Sequence, residues 1–124
     1  NGILMKCILL FLFVVSCRIQ NEIPPHPVFE QSSECEESIG QAKLDYKNGK
    51  RKFIILGLVQ AGENELFYFD FMKRKYNIVI ESNCVPSQSE ECYAIAMNDE
   101  ILKEYGENFI QKTLNEAEAE FRKQ

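Results

Sequence analysis

Between Phe53 and Ile80 the chain reads FIILGLVQAGENELFYFDFMKRKYNIVI, and this stretch decides the fold. Phe53-Ile54-Ile55-Leu56-Gly57-Leu58-Val59 is a continuous apolar run, the pattern of a strand buried on both faces. Ala61-Gly62 breaks it. From Glu63 to Asn77 two readings compete, because Leu66-Phe67-Tyr68-Phe69-Asp70-Phe71 also suits an aromatic strand. Acidic residues at the start of this segment and Lys73-Arg74-Lys75 at its end complement a helix dipole, which selects the helix. Ile78-Val79-Ile80 then predicts a second short strand, closed by Ser82-Asn83. Strands joined through a helix and lying side by side run parallel, with a right-handed crossover.

Working outward, Ser33 is placed to cap a helix whose first turn holds Glu34, Glu36 and Glu37. Cys35, Ile39, Ala42 and Tyr46 form one apolar stripe, and Asn48-Gly49 ends it. Downstream, a loop holding Pro86 leads to Ser89, Glu90 and Glu91, which start a helix bearing Tyr93, Met97, Ile101 and Tyr105 at four-residue steps. Gly106 ends that helix, and Phe109, Ile110, Leu114, Ala117 and Phe121 stripe a last one. The expected fold is a small αβαβαα domain of the α/β class over residues 34–124, its short parallel sheet packed by helices. A sheet of two strands is thin. Val28-Phe29 is the candidate for a third.

Ahead of this domain, Met5-Lys6-Cys7 precedes eight unbroken apolar residues, Ile8 to Val15, and then Ser16-Cys17. Residues 5–16 read as a secretory signal, too short to cross a bilayer as a helix. Val14-Val15-Ser16-Cys17 resembles a bacterial lipobox, with Cys17 the lipidation site and the membrane lipid its partner; an ordinary secreted protein cut nearby is the alternative. Residues 17–33 then form a proline-bearing tether, Pro24-Pro25-His26-Pro27, able to hold the domain up to ~50 Å from the membrane.

The topology also sorts the charges and cysteines. Both strands would start near Lys50-Arg51-Lys52 and Lys73-Arg74-Lys75, and end near Gln60-Ala61-Gly62 and Asn83-Cys84. The first and third helices begin at that second end, so Cys35 and Cys92 are expected beside Cys84. Open α/β sheets place ligands at the carboxyl ends of their strands. Gln60, Glu63, Asn83, Cys84, Glu90 and Glu91 therefore form the candidate binding rim. In an oxidising compartment these cysteines favour a disulfide, and Cys84 with Cys92 would close a short loop, leaving Cys35 over. Three pairings are open.

Composition narrows the function classes. The 124 residues carry a formal net charge of −5, which argues against a nucleic-acid footprint. The lone histidine disfavours His-based triads and multi-His metal sites. No Cys-x-x-Cys, Walker or Rossmann motif occurs, so no catalytic residue, metal or cofactor is assigned. Acidic helix starts need no catalytic reason.

Lys75-Tyr76-Asn77-Ile78, Cys84, Pro86, Tyr93, Leu102 and Tyr105-Gly106 together make the chain from about Phe53 onward resemble a group of small uncharacterised lipoproteins of Bacteroidota. The resemblance implies the helix over Glu63–Asn77 and the anchor at Cys17, and it brings no activity. It also implies that surface export goes with acidic residues soon after the lipidated cysteine. Arg18-Ile19-Gln20-Asn21-Glu22 fits that pattern poorly, so the periplasmic face is expected.

The function expected is thus a lipid-anchored, non-catalytic binding module of the cell envelope, with an envelope protein or small ligand at the rim. The alternatives are an envelope thiol-redox protein, or other enzyme, using that rim, and an immunity or inhibitor protein.

Overall fold

The computed structural model describes residues 32–124. The signal at residues 5–16, Cys17, the tether through residue 31 and the candidate strand at Val28-Phe29 lie outside the described residues. The elements run α1 (Ser33–Lys47), β1 (Lys52–Leu56), α2 (Glu63–Tyr76), β2 (Val79–Asn83), α3 (Gln88–Tyr105) and α4 (Phe109–Phe121). β1 and β2 pair in parallel, from Lys52↔Val79 to Leu56↔Asn83. The αβαβαα order and the parallel pair are those the sequence predicts.

Caps explain where the helices begin and end. Ser32, not Ser33, caps α1 by accepting from the Cys35 N–H. Ser87, not Ser89, caps α3: its hydroxyl accepts from the Glu90 N–H, and the Glu90 carboxylate accepts from the Ser87 N–H at 2.7 Å. That reciprocal arrangement satisfies two donors that a helix start otherwise leaves open. α2 ends at Asn77, which takes the left-handed conformation at φ 54°. Gly106 sits at φ 97°, where side chains are strained, and turns the chain so sharply that Tyr105 stacks on Phe109 at 4.4 Å.

The core is mainly aromatic and aliphatic. Tyr68, Phe71 and Met72 of α2, Ile78, Ile101 of α3, and Phe109 and Ala117 of α4 form one buried cluster. Phe53 and its strand partner Ile80 pack against it. A smaller cluster joins Ala42 of α1 to Ala96 and Met97 of α3. Thr113 takes a core position on α4 that the sequence pattern assigns to no residue, while Leu114 is 40% exposed. The reason is chemical: the Thr113 hydroxyl lies 3.0 Å from the Phe109 and Ile110 carbonyl oxygens and 2.9 Å from the Tyr68 hydroxyl. Its one proton goes to a backbone carbonyl, so Tyr68 donates to Thr113 and both buried hydroxyls are satisfied.

β1 departs from expectation. It ends at Leu56 rather than Val59 and is half-buried, with Leu58 79% exposed. A sheet of two strands is too narrow to be covered on both faces, and Gly57 at φ 145° leads the chain out of the ladder. β2 likewise starts one residue later than predicted, leaving Ile78 buried ahead of it.

One side chain secures the outer edge of β1. Asn98 of α3 accepts from the Ile54 N–H and donates to the Ile54 carbonyl, both at 2.8 Å. Those backbone groups point away from β2, and an edge left unpaired against protein is costly.

The basic end is neutralised from within. Lys50, Arg51 and Lys52 pair with Asp45, Glu104 and Glu81, while Arg74 pairs with Asp70 and Glu120, and Lys75 with Glu116. Arg51 also donates to the Tyr105 hydroxyl at 2.9 Å and lies over the Tyr46 ring at 4.9 Å, linking α1, β1 and α3. Exposed pairs of this kind add little stability each. They do explain why basic and acidic residues alternate across these elements.

Two substitutions test this architecture by urea denaturation. Asn98→Ala strips both partners from Ile54 and is expected to destabilise the domain by about 1–3 kcal/mol. Thr113→Val removes the acceptor of a buried tyrosine hydroxyl at a similar cost of about 1–3 kcal/mol, and adding Tyr68→Phe recovers part of it. Strictly additive losses would contradict the Tyr68–Thr113 bond.

Candidate functional site

At the carboxyl end of the sheet, β2 and the first turns of α3 enclose a polar cleft of about 380 Å³ together with α1 and β1. β2 supplies Glu81, Ser82 and Asn83; α3 supplies Ser89, Glu90 and Tyr93; Ser38 of α1 and Ile54 of β1 complete it. Alternation along the strands produces this wall. The Phe53↔Ile80 pair packs on the core, so the next pair, Ile54↔Glu81, projects from the opposite face into the cleft.

The structure places the predicted rim residues unequally. Asn83 and Glu90 line the cleft, whereas Gln60, Glu63, Cys84 and Glu91 are exposed and do not. The sulfurs pair differently from the short loop expected. Cys35 is joined to Cys92 across 57 residues of sequence, with their Cα atoms 5.4 Å apart, and Cys84 is the exposed free thiol. The physical reason is helix packing. α1 and α3 lie against each other with both amino ends together, so the first turn of each brings its cysteine to the other. Cys84 sits two residues ahead of Pro86 in the loop leaving β2.

Ser38, Ile54, Glu81, Ser82, Ser89 and Tyr93 are cleft residues that the sequence reading missed. For the two on α3, a signal was present. Ser87-x-x-Glu90 is a capping box, and starting the helix there sets Ser89 and Tyr93 one turn apart on the same face. No local pattern marks Ser38, which reaches the cleft only because α1 packs on α3.

Several of the cleft's polar side chains are already engaged. Glu90 holds the Ser87 N–H, and that bond, with the Ser87 hydroxyl, keeps its carboxyl below the usual range and ionised. Glu81 pairs with Lys52 at 2.9 Å. The Tyr93 hydroxyl donates to Asp45 Oδ2 at 2.8 Å. Burial and the facing Asp45 carboxylate push the Tyr93 phenol up to about 12. Asp45 is held low in turn, chiefly by the Tyr93 hydroxyl and then by Gln41, which donates to it at 2.8 Å. The ionised Glu90 therefore gives the cleft a fixed negative charge, with Glu81 offset by Lys52, beside neutral hydroxyl and amide groups. Among the described residues, no group of three or more His, Cys, Asp or Glu is arranged to hold a metal ion.

A second cavity of about 340 Å³ lies between α2 and α4, taking in Phe67, Tyr68, Leu114 and Phe121. It is more apolar than the cleft and takes in the first turn of α2 at Asn64 and Glu65. The chain matches no family model, no curated protein and no solved structure.

The Tyr93–Asp45 bond predicts a pH signature. The Tyr93 phenol is raised to about 12 from an ordinary value of 10.0, so the folded state holds this proton more tightly than the unfolded chain. Its stabilising contribution is full below pH 10 and is lost as pH rises through the folded value. Ultraviolet titration of the tyrosines is expected to show Tyr93 ionising late, and Asp45→Asn to bring that ionisation earlier.

Proposed function

We propose that the protein is a lipid-anchored binding module of the bacterial cell envelope, held at the periplasmic face through acylated Cys17. The polar cleft receives a small ligand or a segment of an envelope protein. The observation that carries this reading is the Cys35–Cys92 disulfide. Such a bond persists in oxidising compartments, which supports the export that residues 5–16 and Cys17 suggest on independent grounds. Among the described residues no helix is long and apolar enough to cross a membrane. The resemblance to small lipoproteins of Bacteroidota points the same way.

Binding is the reading that the cleft's polar groups support: Glu90, Glu81 and Tyr93 are each held in place by a partner and so form a pre-organised recognition wall. The cleft offers shape, fixed negative charge and hydroxyl groups. The exposed Cys84 thiol favours a second reading, a thiol-redox protein of the envelope. Rapid, selective modification of Cys84 by a thiol reagent on the native protein would support it.

Both parts of the proposal are open to test. Metabolic labelling with an alkyne fatty acid is expected to mark the full chain and to spare Cys17→Ser; an unlabelled wild type overturns the anchor. Purification from native membranes in mild detergent, wild type beside Ser82→Trp, tests the cleft. A companion retained by the wild type and lost from the variant is expected, and identical companions on both overturn the assignment.

A further inference from the structure

The packing of α1 sets it apart from the rest of the domain. Its apolar contacts lie in the small cluster, where Ala42 meets Ala96 and Met97 with Ile39, Tyr46 and Tyr93 around them. The main cluster draws its buried members from α2, α3, α4 and Ile78, with Tyr46 the one α1 side chain packed against it. Every member of that small cluster belongs to α1 or α3, so the apolar hold on α1 comes almost wholly through one neighbour. The polar ties of α1 to α3 are the part-buried Tyr93–Asp45 hydrogen bond and the exposed Tyr46–Glu104 one. The disulfide adds a covalent tie at the amino end of the helix, closing a loop of 57 residues and so removing much of the entropy that α1 would gain by opening.

We propose that the Cys35–Cys92 disulfide is a site of thiol–disulfide exchange with a dithiol reductant, and that its reduction releases α1 from α3 while the rest of the domain stays folded. Cys35 is 2% exposed, whereas Cys92, early in α3, is only partly buried, so the incoming thiolate meets Cys92 first. One thiolate of the reductant attacks the Cys92 sulfur, the Cys35–Cys92 bond breaks, and Cys35 leaves as a thiolate that takes up a proton. The second thiol of the reductant then attacks the mixed disulfide. Cys92 leaves as a thiolate and is protonated, and the reductant departs as its own disulfide, two electrons having passed to the protein.

Release has a consequence at the cleft. Ser38 lies one turn from Cys35 and lines the cleft wall, so the cleft opens on that side and Met97, fully buried when α1 is in place, is uncovered. The release itself follows from the packing and does not depend on a ligand in the cleft or on acylation of Cys17.

Hydrogen exchange on the full chain, read by mass spectrometry, tests it. Cys84→Ser is used throughout to remove the competing thiol, and alkylation reports the redox state. Native-state treatment with dithiothreitol is expected to open the disulfide and to speed exchange of the α1 amides at least about tenfold, with α2 and α4 unchanged. The Cys35→Ala/Cys92→Ala double variant is expected to show the same pattern without reductant. A disulfide that resists the dithiol under native conditions, an unaltered α1, or protection lost throughout the domain would each overturn the proposal.

Discussion

A sheet of two strands has two outer edges and almost no interior, and the constraint that shapes this protein is how those edges are met. The Asn98 side chain answers it for β1 by taking both backbone groups of Ile54. Because Asn98 shares α3 with Met97 and Ile101, the contact that closes the edge also orients the helix whose buried side chains join the two clusters. A side-chain amide both donates and accepts from a single planar group, which matches the two backbone groups of one residue. A hydrophobic residue there would leave the Ile54 N–H and carbonyl facing protein without partners.

From that docking the functional end follows. α3 begins at the carboxyl end of the strands because its capping box stops it at Ser87, and its first turn therefore faces β2 across the cleft. α1 lies along α3 with the same polarity, and the two amino ends meet at a disulfide. The cleft, the covalent link and the Tyr93–Asp45 pair are three results of one helix–helix contact. Their clustering is geometric and needs no separate cause.

The ion pairs show the opposite economy. The basic runs before β1 and at the end of α2 look in sequence like a surface for an anionic partner. In the fold, Lys50, Arg51, Lys52, Arg74 and Lys75 each face a carboxylate of the chain itself. Part of this is helix-dipole complementarity and part is cross-element pairing. These pairs offset most of the two basic runs, and one of them, Lys52 with Glu81, reaches a cleft carboxylate, which leaves Glu90 as the cleft's uncompensated charge.

Element order, the parallel pair and the helical identity of Glu63–Tyr76 were legible in the sequence, because hydrophobic period, charge at helix ends and Gly106 act within a few residues of one another. So was the gathering of Asn83, Cys92 and Glu90 at one end, which follows from chain direction alone. The half-burial of β1, the core place of Thr113 and the pairing of Cys35 with Cys92 were not. Each depends on which surfaces meet: how few strands stand beside β1, which hydroxyl α2 turns toward α4, and which helix lies against α1. Local patterns tell a chain where its elements begin and what each could bury. Only the packed structure decides what each does bury, because that choice is made by a neighbour distant in sequence.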